Sequence, residues 1–253
     1  MFALDDVSFQ LSGRTLLDTV SLTLSSRRVV GLIGQNGSGK STLLKILARQ
    51  LPASKGSVAF EGRALSEWGA RPFARRLAYM PQHTPPASGL KVRELVALGR
   101  YPWHGALGRF GKLDHDKVDD AIERTGIAAF GDRLVDTLSG GERQRVWIAM
   151  LVAQDAECLL LDEPISALDI AHQIEVLSLV RELGHSRGVV VVLHDVNMAA
   201  RFCDEIVALR SGKLIARGTP QEIVTPDRLR DICRVEMQVM SHPSGGHPVA
   251  VPC

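Results

Sequence analysis

Residues 34–41 read GQNGSGKS, a glycine-rich stretch that ends in a lysine and a serine. It fits the pattern G-x-x-x-x-G-K-[ST], which binds phosphate chains because glycines let backbone N–H groups point at phosphate oxygens. An apolar run precedes it and leucines at helical spacing follow it, the strand–loop–helix context that the pattern needs. Lys40 is predicted to neutralise the β- and γ-phosphates and Ser41 to ligate Mg²⁺. The predicted nucleotide-binding residues of this loop are Gly34, Gln35, Asn36, Gly37, Ser38, Gly39, Lys40, Ser41 and Thr42.

A pair of carboxylates follows a second apolar run, in LLLDE at residues 159–163. A carboxylate at the end of a buried strand suits a phosphate loop that uses Mg²⁺. Asp162 is predicted to hold Mg²⁺ through water, and Glu163 to orient an attacking water molecule. Together with the loop, this pair predicts hydrolysis of a nucleoside triphosphate.

A second glycine-rich turn occurs at residues 138–145, LSGGERQR, where it runs into a predicted helix. A helix N-terminus can also grip a phosphate. The residues alone leave open whether this second turn holds the nucleotide of its own chain or that of another.

Composition limits the other possibilities. The chain has 253 residues, of which 45% are hydrophobic and 23% charged, as in an ordinary globular protein. The net charge of +2 gives no polyelectrolyte reason to expect a nucleic-acid partner. Scattered cysteines predict reduced thiols in a cytosolic protein, and acidic residues in the opening MFALDDVSF argue against a signal peptide. Apolar runs are too short to span a bilayer, so we expect any membrane connection to go through a partner.

Strand and helix patterns place these motifs. Short β-type runs open the chain, and the apolar stretches at 158–163 and 188–195 predict parallel strands covered on both faces. Residues 85–135 predict helices, with Asp114 as the N-cap of one of them. A Ser-Gly turn at 211–212 predicts a hairpin.

Around LSGGE the chain resembles the ATP-binding subunits of ABC transporters, and the resemblance covers essentially the whole chain. LSGGE matches the signature of that family. The other family motifs occur in the order expected for the family: Gln82 as the glutamine loop before the signature, and after it LLLDEP at 159–164, SALD at 166–169, and His194 after an apolar strand. The resemblance implies an α/β fold, a P-loop NTPase core of the ABC ATPase type with an N-terminal antiparallel β subdomain and an inserted α-helical subdomain.

The resemblance also implies a division of one ABC ATPase domain spanning 1–253. Residues from about 1–84 and 155–240 are expected to form the nucleotide-binding α/β core, and residues from about 85–154 the helical signature subdomain. The Pro and Gly content of 241–253 predicts a loose C-terminal tail.

In this family two ATPase subunits pack head to tail, which answers the question raised by the second turn. The resemblance implies that one chain grips the γ-phosphate on the other copy through Ser139, Gly140 and Gly141. It implies that Gln82 senses Mg²⁺ and links the site to the helical insertion, that His194 contacts the γ-phosphate, and that Asp169 crosses the dimer interface. Glu163 and His194 are then the catalytic residues, ATP and Mg²⁺ the cofactors, and the metal-site residues are Ser41, Gln82 and Asp162. Leu11 departs from the pattern, because many relatives have an adenine-stacking aromatic residue there.

Three stretches carry a more specific resemblance, to the ATPases of ferric hydroxamate siderophore importers: YPWHGALGRFG (101–111), WIAMLVAQD (147–155) and LDIAHQIEVLSLV (168–180). This resemblance implies a peripheral subunit on the cytoplasmic face of the inner membrane. Its partners would be a second copy of itself, a polytopic membrane permease that docks on the insertion, and, indirectly, a periplasmic siderophore-binding protein. Haem or vitamin B12 import, and a soluble iron–sulfur assembly ATPase, remain the alternatives.

Overall fold

The computed structural model describes residues 1–105, 108–166 and 168–253. Two of the stretches quoted above extend beyond this part of the chain. Ala106 and Leu107 of YPWHGALGRFG, and Ala167 of SALD, lie outside the described residues.

In chain order the strands are β1 (Phe2–Leu11), β2 (Arg14–Leu24), β3 (Val29–Ile33), β4 (Lys55–Phe60), β5 (Arg63–Ala64), β6 (Leu77–Met80), β7 (Cys158–Leu161), β8 (Gly188–Val192), β9 (Glu205–Arg210), β10 (Lys213–Gly218), β11 (Met237–Ser241) and β12 (Pro248–Pro252). The helices are α1 (Lys40–Leu47), α2 (Ala70–Arg76), α3 (Val92–Leu98), α4 (Tyr101–His104), α5 (Lys112–Arg124), α6 (Gly140–Gln154), α7 (Ile170–Gly184), α8 (Val196–Phe202), α9 (Pro220–Ile223) and α10 (Pro226–Cys233).

The chain folds into two compact units. Unit 1 comprises Met1–Trp68 and Val180–Cys253, and unit 2 comprises Gly69–Leu179. These bounds differ from the predicted division near residues 84 and 155, because β6 and β7 fall in the unit that also carries the helices α3 to α6. The phosphate loop and His194 belong to unit 1, and the carboxylate pair and the LSGGE turn belong to unit 2.

Unit 1 contains strands in the order β10-β9-β3-β8, with β3 parallel to both of its neighbours, and an antiparallel sheet in the order β2-β1-β4-β5. All five residues of β3 and of β8 are buried, as expected for parallel strands covered on both faces. The antiparallel sheet is the predicted N-terminal β subdomain, and Phe2 on β1 packs against Phe60 on β4 with ring centroids 4.7 Å apart. The predicted 211–212 hairpin turn joins β9 to β10, and both of its residues have the positive φ that a tight hairpin turn requires.

In unit 2, β6 and β7 pair in parallel, and the helices α2 and α6 contact β6. A buried ion pair joins two of its segments, since Arg100 Nε donates to Asp114 Oδ1 at 2.9 Å and Arg100 Nη1 donates to the Ala153 carbonyl at 2.9 Å. The prediction that Asp114 is a helix N-cap is wrong. Gly111 is the N-cap of α5, and Asp114 lies three residues inside the helix, where its other oxygen accepts the Gly111 N–H at 3.0 Å.

The prediction of a loose C-terminal tail is also wrong. Strands β11 and β12 form an antiparallel hairpin in register from Met237 opposite Pro252 to Ser241 opposite Pro248. The Pro- and Gly-rich residues 242–247 form its turn, where the imidazole rings of His242 and His247 stack 4.5 Å apart. Ala250 of β12 is buried, so the hairpin packs against the rest of unit 1.

None of the helices within the described ranges is both long and apolar enough to cross a bilayer.

Candidate active site

The phosphate loop lies between β3 and α1, where the sequence pattern predicts it. Gly34 and Gly39 have φ values of 142° and 102°, which L-residues with side chains rarely adopt. A Cβ on Gly34 would lie 2.1 Å from the Leu209 carbonyl oxygen, and one on Gly39 would lie 2.7 Å from the Leu16 carbonyl oxygen. Glycine is therefore required at both positions by backbone strain and by space, and the loop can curl tightly enough to surround a phosphate.

Lys40 is the first residue of α1, and its ammonium group turns back into the loop. Nζ donates to the carbonyl oxygens of Gly34 at 2.7 Å and Gln35 at 3.0 Å, and the residue is only 5% exposed. The positive charge thus lies inside the curl, close to the backbone N–H groups at the start of the helix. The Ser38 hydroxyl is buried too, and it has no hydrogen-bond partner among the described residues.

His194 lies on the same pocket as the phosphate loop. This pocket has a volume of about 480 Å³, and its lining comprises Ile33, Gly34, Gln35, Asn36, His194, Val196, Ile232 and Cys233. His194 lies two residues after the end of β8, is exposed, and lines this pocket. Unit 1 therefore brings together two of the predicted elements, the phosphate loop and the histidine.

The carboxylate pair follows β7 in unit 2. Asp162 is 1% exposed, and its backbone N–H donates to the Met80 carbonyl oxygen at 3.0 Å, which extends the pairing of β6 with β7 by one residue. Burial, and secondarily the charge of Asp162, raises the pKa of Tyr79 on β6 to about 12. Asp162 therefore lies in a water-poor position, where a carboxylate attracts a cation strongly.

Glu163 is held by the predicted glutamine. Gln82 Nε2 donates to Glu163 Oε2 at 2.6 Å, which fixes the orientation of the carboxylate. Glu163 has a φ of 53°, a left-handed conformation uncommon for a residue with a side chain. Strain of this kind persists only where the surrounding structure holds it, and it is frequent in active sites. Unit 2 thus brings together Gln82 and Glu163, which lie 81 residues apart in the chain.

The LSGGE turn forms the N-terminus of α6. Ser139 is the N-cap, and its Oγ accepts the Glu142 N–H at 3.3 Å while Glu142 Oε2 accepts the Ser139 N–H at 2.8 Å. This reciprocal capping box fixes the turn and lowers the pKa of Glu142, chiefly through the Ser139 N–H. Ser139 and Gly140 are exposed at the start of a fifteen-residue helix, which is suited to an anion.

Asp169 caps the next helix. Its Oδ1 accepts the His172 N–H at 3.0 Å and lies 2.8 Å from His172 Nδ1, and these contacts, led by the backbone one, lower the pKa of Asp169. The Asp169 side chain is otherwise exposed, so it remains available to a partner surface.

Two residues of this region were missed by the sequence analysis. His172 lies beside Gly141, since a Cβ on that glycine would come within 2.8 Å of the imidazole ring. Gln144 on α6 donates through Nε2 to the Pro164 carbonyl oxygen at 2.5 Å, which ties the LSGGE helix to the residue that follows Glu163. The sequence does place His172 three residues after Asp169 and Gln144 within LSGGERQR. The residue types and their spacing, however, do not indicate that His172 contacts Gly141 or that Gln144 contacts Pro164.

Leu11 ends β1 and is 58% exposed. A leucine side chain offers no aromatic face, so the base contact usual in relatives is not made by stacking at this position.

The aromatic residues of the 101–111 stretch have different surroundings. Tyr101 is 53% exposed. Trp103 instead donates its indole N–H to the Gln154 carbonyl oxygen at 2.7 Å, and the guanidinium groups of Arg75 and Arg100 lie 5.2 Å and 5.0 Å from its ring centroid. Trp103 therefore holds α4 in place within unit 2, and Tyr101 is the more accessible of the two.

Comparison with known proteins gives a consistent result. The family model described as "ABC transporter" matches residues 17–166. The iron(3+)-hydroxamate import ATP-binding protein of Bacillus subtilis (strain 168) is 39% identical, over 94% of this chain and 89% of its own length. The ferric enterobactin transport ATP-binding protein of Escherichia coli (strain K12) is 40% identical over the same shares. A hemin import ATP-binding protein of Streptomyces coelicolor is 42% identical, over 96% of this chain and 86% of its own.

A solved structure agrees with the fold. The dimeric structure of a bacterial ABC transporter cassette superposes with a TM-score of 0.76 at 25% identity, covering 87% of this chain and 98% of that one.

Proposed function

This chain belongs to the ATP-binding subunits of ABC transporters, and we propose that it hydrolyses ATP to drive import of iron(III)-hydroxamate siderophores. The near full-length similarity to import ATP-binding proteins is the observation that carries the proposal. As a member of this family the chain binds ATP and is an ATPase. The roles of individual residues below, the magnesium ion, the transported substrate and the partners are our proposals.

The phosphate loop fits the triphosphate of ATP. The glycines at 34 and 39 allow the loop to curl where a Cβ would collide with the Leu209 and Leu16 carbonyl oxygens. Lys40 places a positive charge inside the loop, and the buried Ser38 hydroxyl is suited to a phosphate oxygen. Ser41 and Asp162 are oxygen donors of the type that Mg²⁺ prefers. Bound there, Mg²⁺ would neutralise charge on the phosphates.

Hydrolysis follows from the pose of Glu163. The attacking water loses a proton to this carboxylate as its oxygen bonds to the γ-phosphorus, and the bond from that phosphorus to the oxygen of ADP breaks. Gln82 supports the step because its hydrogen bond to Oε2 fixes the orientation of the carboxylate that accepts the proton. His194 lies on the pocket of the phosphate loop, where it donates to the γ-phosphate as negative charge develops.

The LSGGE turn serves a second copy of the chain. The exposed helix N-terminus at Ser139 to Gly141 closes on the γ-phosphate bound by the other copy, and Asp169 contacts the facing subunit. The exposure of Ser139, Gly140 and Asp169 supports this arrangement, because in an isolated chain these polar groups face solvent. The dimeric cassette of similar fold supports it further.

Transport requires a membrane partner. We assign docking of a polytopic permease to the region 82–110, apart from the two residues outside the described ranges, with Tyr101 as an exposed aromatic anchor. The subunit then lies at the cytoplasmic face of the inner membrane, and a periplasmic siderophore-binding protein acts on it only through the permease.

The test is ATPase activity in liposomes that contain the candidate permease. Ferric hydroxamate-loaded binding protein should stimulate phosphate release and iron uptake together, and the Lys40→Ala variant should show neither. Stimulation by a haem-loaded or vitamin B12-loaded binding protein instead would identify haem or vitamin B12 as the transported substrate. The haem measurement is the more important of the two, because a hemin import ATP-binding protein is 42% identical to this chain. Basal ATPase activity that no permease alters would favour the soluble iron–sulfur assembly alternative.

A further inference from the structure

The C-terminal segment, residues 226–253, is built into the same unit as the phosphate loop. It consists of α10 and the hairpin β11–β12, and two of its residues, Ile232 and Cys233, line the pocket that contains Gly34, Gln35 and His194. The sequence predicted a loose tail for the last part of this segment, residues 241–253, and assigned it no role in the site. Its hydrogen bonds reach both sides of that pocket.

One side of the pocket is the phosphate loop. Gln35 Nε2 donates to the Cys233 carbonyl oxygen at 2.8 Å, at the C-terminal end of α10. The same end of the helix is anchored by Arg210, whose Nη1 donates to the Asp231 carbonyl oxygen at 2.7 Å. Ile232 between them is buried. The C-terminal end of α10 is thus held by hydrogen bonds from the Gln35 and Arg210 side chains to its backbone carbonyls.

The other side carries His194, and there the contact is made by Asn197. The amide Nδ2 of Asn197 donates to the Ala250 carbonyl oxygen at 3.0 Å, and its Oδ1 accepts the Ala250 N–H at 2.8 Å. The Asn197 side chain therefore bonds both the backbone N–H and the carbonyl oxygen of Ala250, as a neighbouring strand would. This contact attaches the N-terminus of α8 to the hairpin.

Only a short, constrained piece of chain separates Asn197 from His194. On one side, the Leu193 N–H donates to the Leu32 carbonyl oxygen at 3.0 Å, which ties the end of β8 to β3. On the other side, Asp195 caps α8 by accepting the Asn197 N–H at 2.7 Å. His194 lies between these two anchors. A shift of the first turn of α8 therefore moves His194 relative to the phosphate loop, because β3 holds its other neighbour.

We propose that Asn197 is a positioning residue for His194, and that the C-terminal hairpin sets the distance between His194 and the γ-phosphate by holding Asn197. The inference rests on the proposed function, since it requires that His194 contacts the γ-phosphate. A hairpin that merely stabilises unit 1 would satisfy the same hydrogen bonds, so the experiment must separate positioning from stability.

The experiment compares Asn197→Ala, His194→Ala and the double variant in steady-state ATPase assays, with ATP affinity measured separately. Asn197→Ala should lower kcat about tenfold, equal to ~1.4 kcal/mol and similar to the net worth of one to two neutral hydrogen bonds. ATP affinity should stay within about twofold, because the loop contacts of Lys40 are unchanged. The double variant should be no slower than His194→Ala, because residues that act through one group are not additive.

Two further variants, one at Asn197 and one elsewhere in the hairpin, serve as controls. Asn197→Asp keeps the acceptor for the Ala250 N–H but places a carboxylate oxygen opposite the Ala250 carbonyl in place of the amide donor, so its kcat should also fall below wild type while ATP affinity is kept. Gln238→Ala removes an exposed amide from the same hairpin and should match wild type, as a control for general effects on β11. Circular dichroism should show each variant folded, and Asn197→Asp retains the test if Asn197→Ala does not fold.

Three outcomes would overturn the inference. A kcat of wild-type size in Asn197→Ala would show that the hairpin does not position the site. Full additivity with His194→Ala would show that Asn197 acts independently of His194. A His194→Ala variant with normal kcat would remove the role of His194 from the proposed function itself, and this outcome is distinct from the first two because it leaves nothing for Asn197 to position.

Discussion

Replacing Gln82 by alanine tests whether a fixed carboxylate is what hydrolysis needs. The substitution removes a hydrogen bond that orients Glu163 in unit 2, the 2.6 Å bond from Gln82 Nε2 to Glu163 Oε2. Hydrogen bonds to charged groups contribute about 1.5–3 kcal/mol. Because Gln82 is exposed and Glu163 half-buried, the lower end of that range applies. A loss of about 1.4 kcal/mol in the transition state corresponds to a kcat about tenfold lower.

The assay is phosphate release at saturating ATP, with ATP affinity measured in the same preparation. Gln82→Ala should lower kcat and leave affinity nearly unchanged, and His83→Ala, its exposed neighbour in the chain, is the matched control. Unchanged kcat in Gln82→Ala, or an equal loss in His83→Ala, would refute the reasoning.

Four further experiments, which use five substitutions, test other parts of the proposed function and of the fold. Glu163→Gln should keep ATP affinity, slow hydrolysis by about 10²–10⁴-fold and elute as an ATP-dependent dimer in size-exclusion chromatography; near-normal turnover would count against a catalytic role. Ser139→Arg and Lys40→Ala chains should each be inactive alone, and mixing them should restore partial activity or at least one trapped ATP per two chains, whereas a turn that served its own nucleotide would give neither. Tyr101→Ala should reduce permease-stimulated ATPase activity and leave basal activity unchanged, and equal loss of both would mean that the residue is structural. Asp114→Ala should lower the free energy of unfolding by about 3–5 kcal/mol at pH 7, because it leaves the buried Arg100 charge unpaired. Burial alone would raise the pKa of Asp114, but the Gly111 N–H and Arg100 outweigh it and lower that pKa, so the wild type should become less stable as the pH falls below about 4; chemical denaturation curves measure both effects.

The parts of the site that a local pattern encodes were predictable from the sequence. The phosphate loop is one continuous stretch in which glycines, a lysine and the flanking strand and helix all indicate the same geometry. The two buried strands that precede Asp162 and His194 are apolar throughout, and this pattern also holds in the structure. In these segments the chemistry and the backbone conformation are determined by neighbours in the chain.

The parts that depend on distant contacts were not predictable. The Pro and Gly content of 241–253 predicted a loose tail, but these residues form the turn and the second strand of a hairpin, and Asn197, more than 50 residues earlier in the chain, holds that strand at Ala250. An aromatic residue such as Trp103 in the insertion is of the type that anchors a partner protein. Its contacts with Arg75, Arg100 and the Gln154 carbonyl show instead that it packs within unit 2.

One misassignment was local. Asp114 is of the right type for an N-cap, but it reaches back to the Gly111 N–H from the third position of the helix. The side chain of a capping-box residue bonds the same end of the helix as an N-cap would, so residue type alone does not separate the two positions.

The close approach of Gly141 to His172 has a consequence for how this chain can change over evolution. Any side chain at position 141 would overlap the imidazole ring, and the same imidazole holds Asp169. The three positions therefore form one steric and hydrogen-bonded set, although they belong to different motifs. Among natural relatives, a residue larger than glycine at 141 should occur only together with a smaller residue at 172. The aspartate would then need a different partner for its carboxylate, so drift at one of these motifs constrains the other.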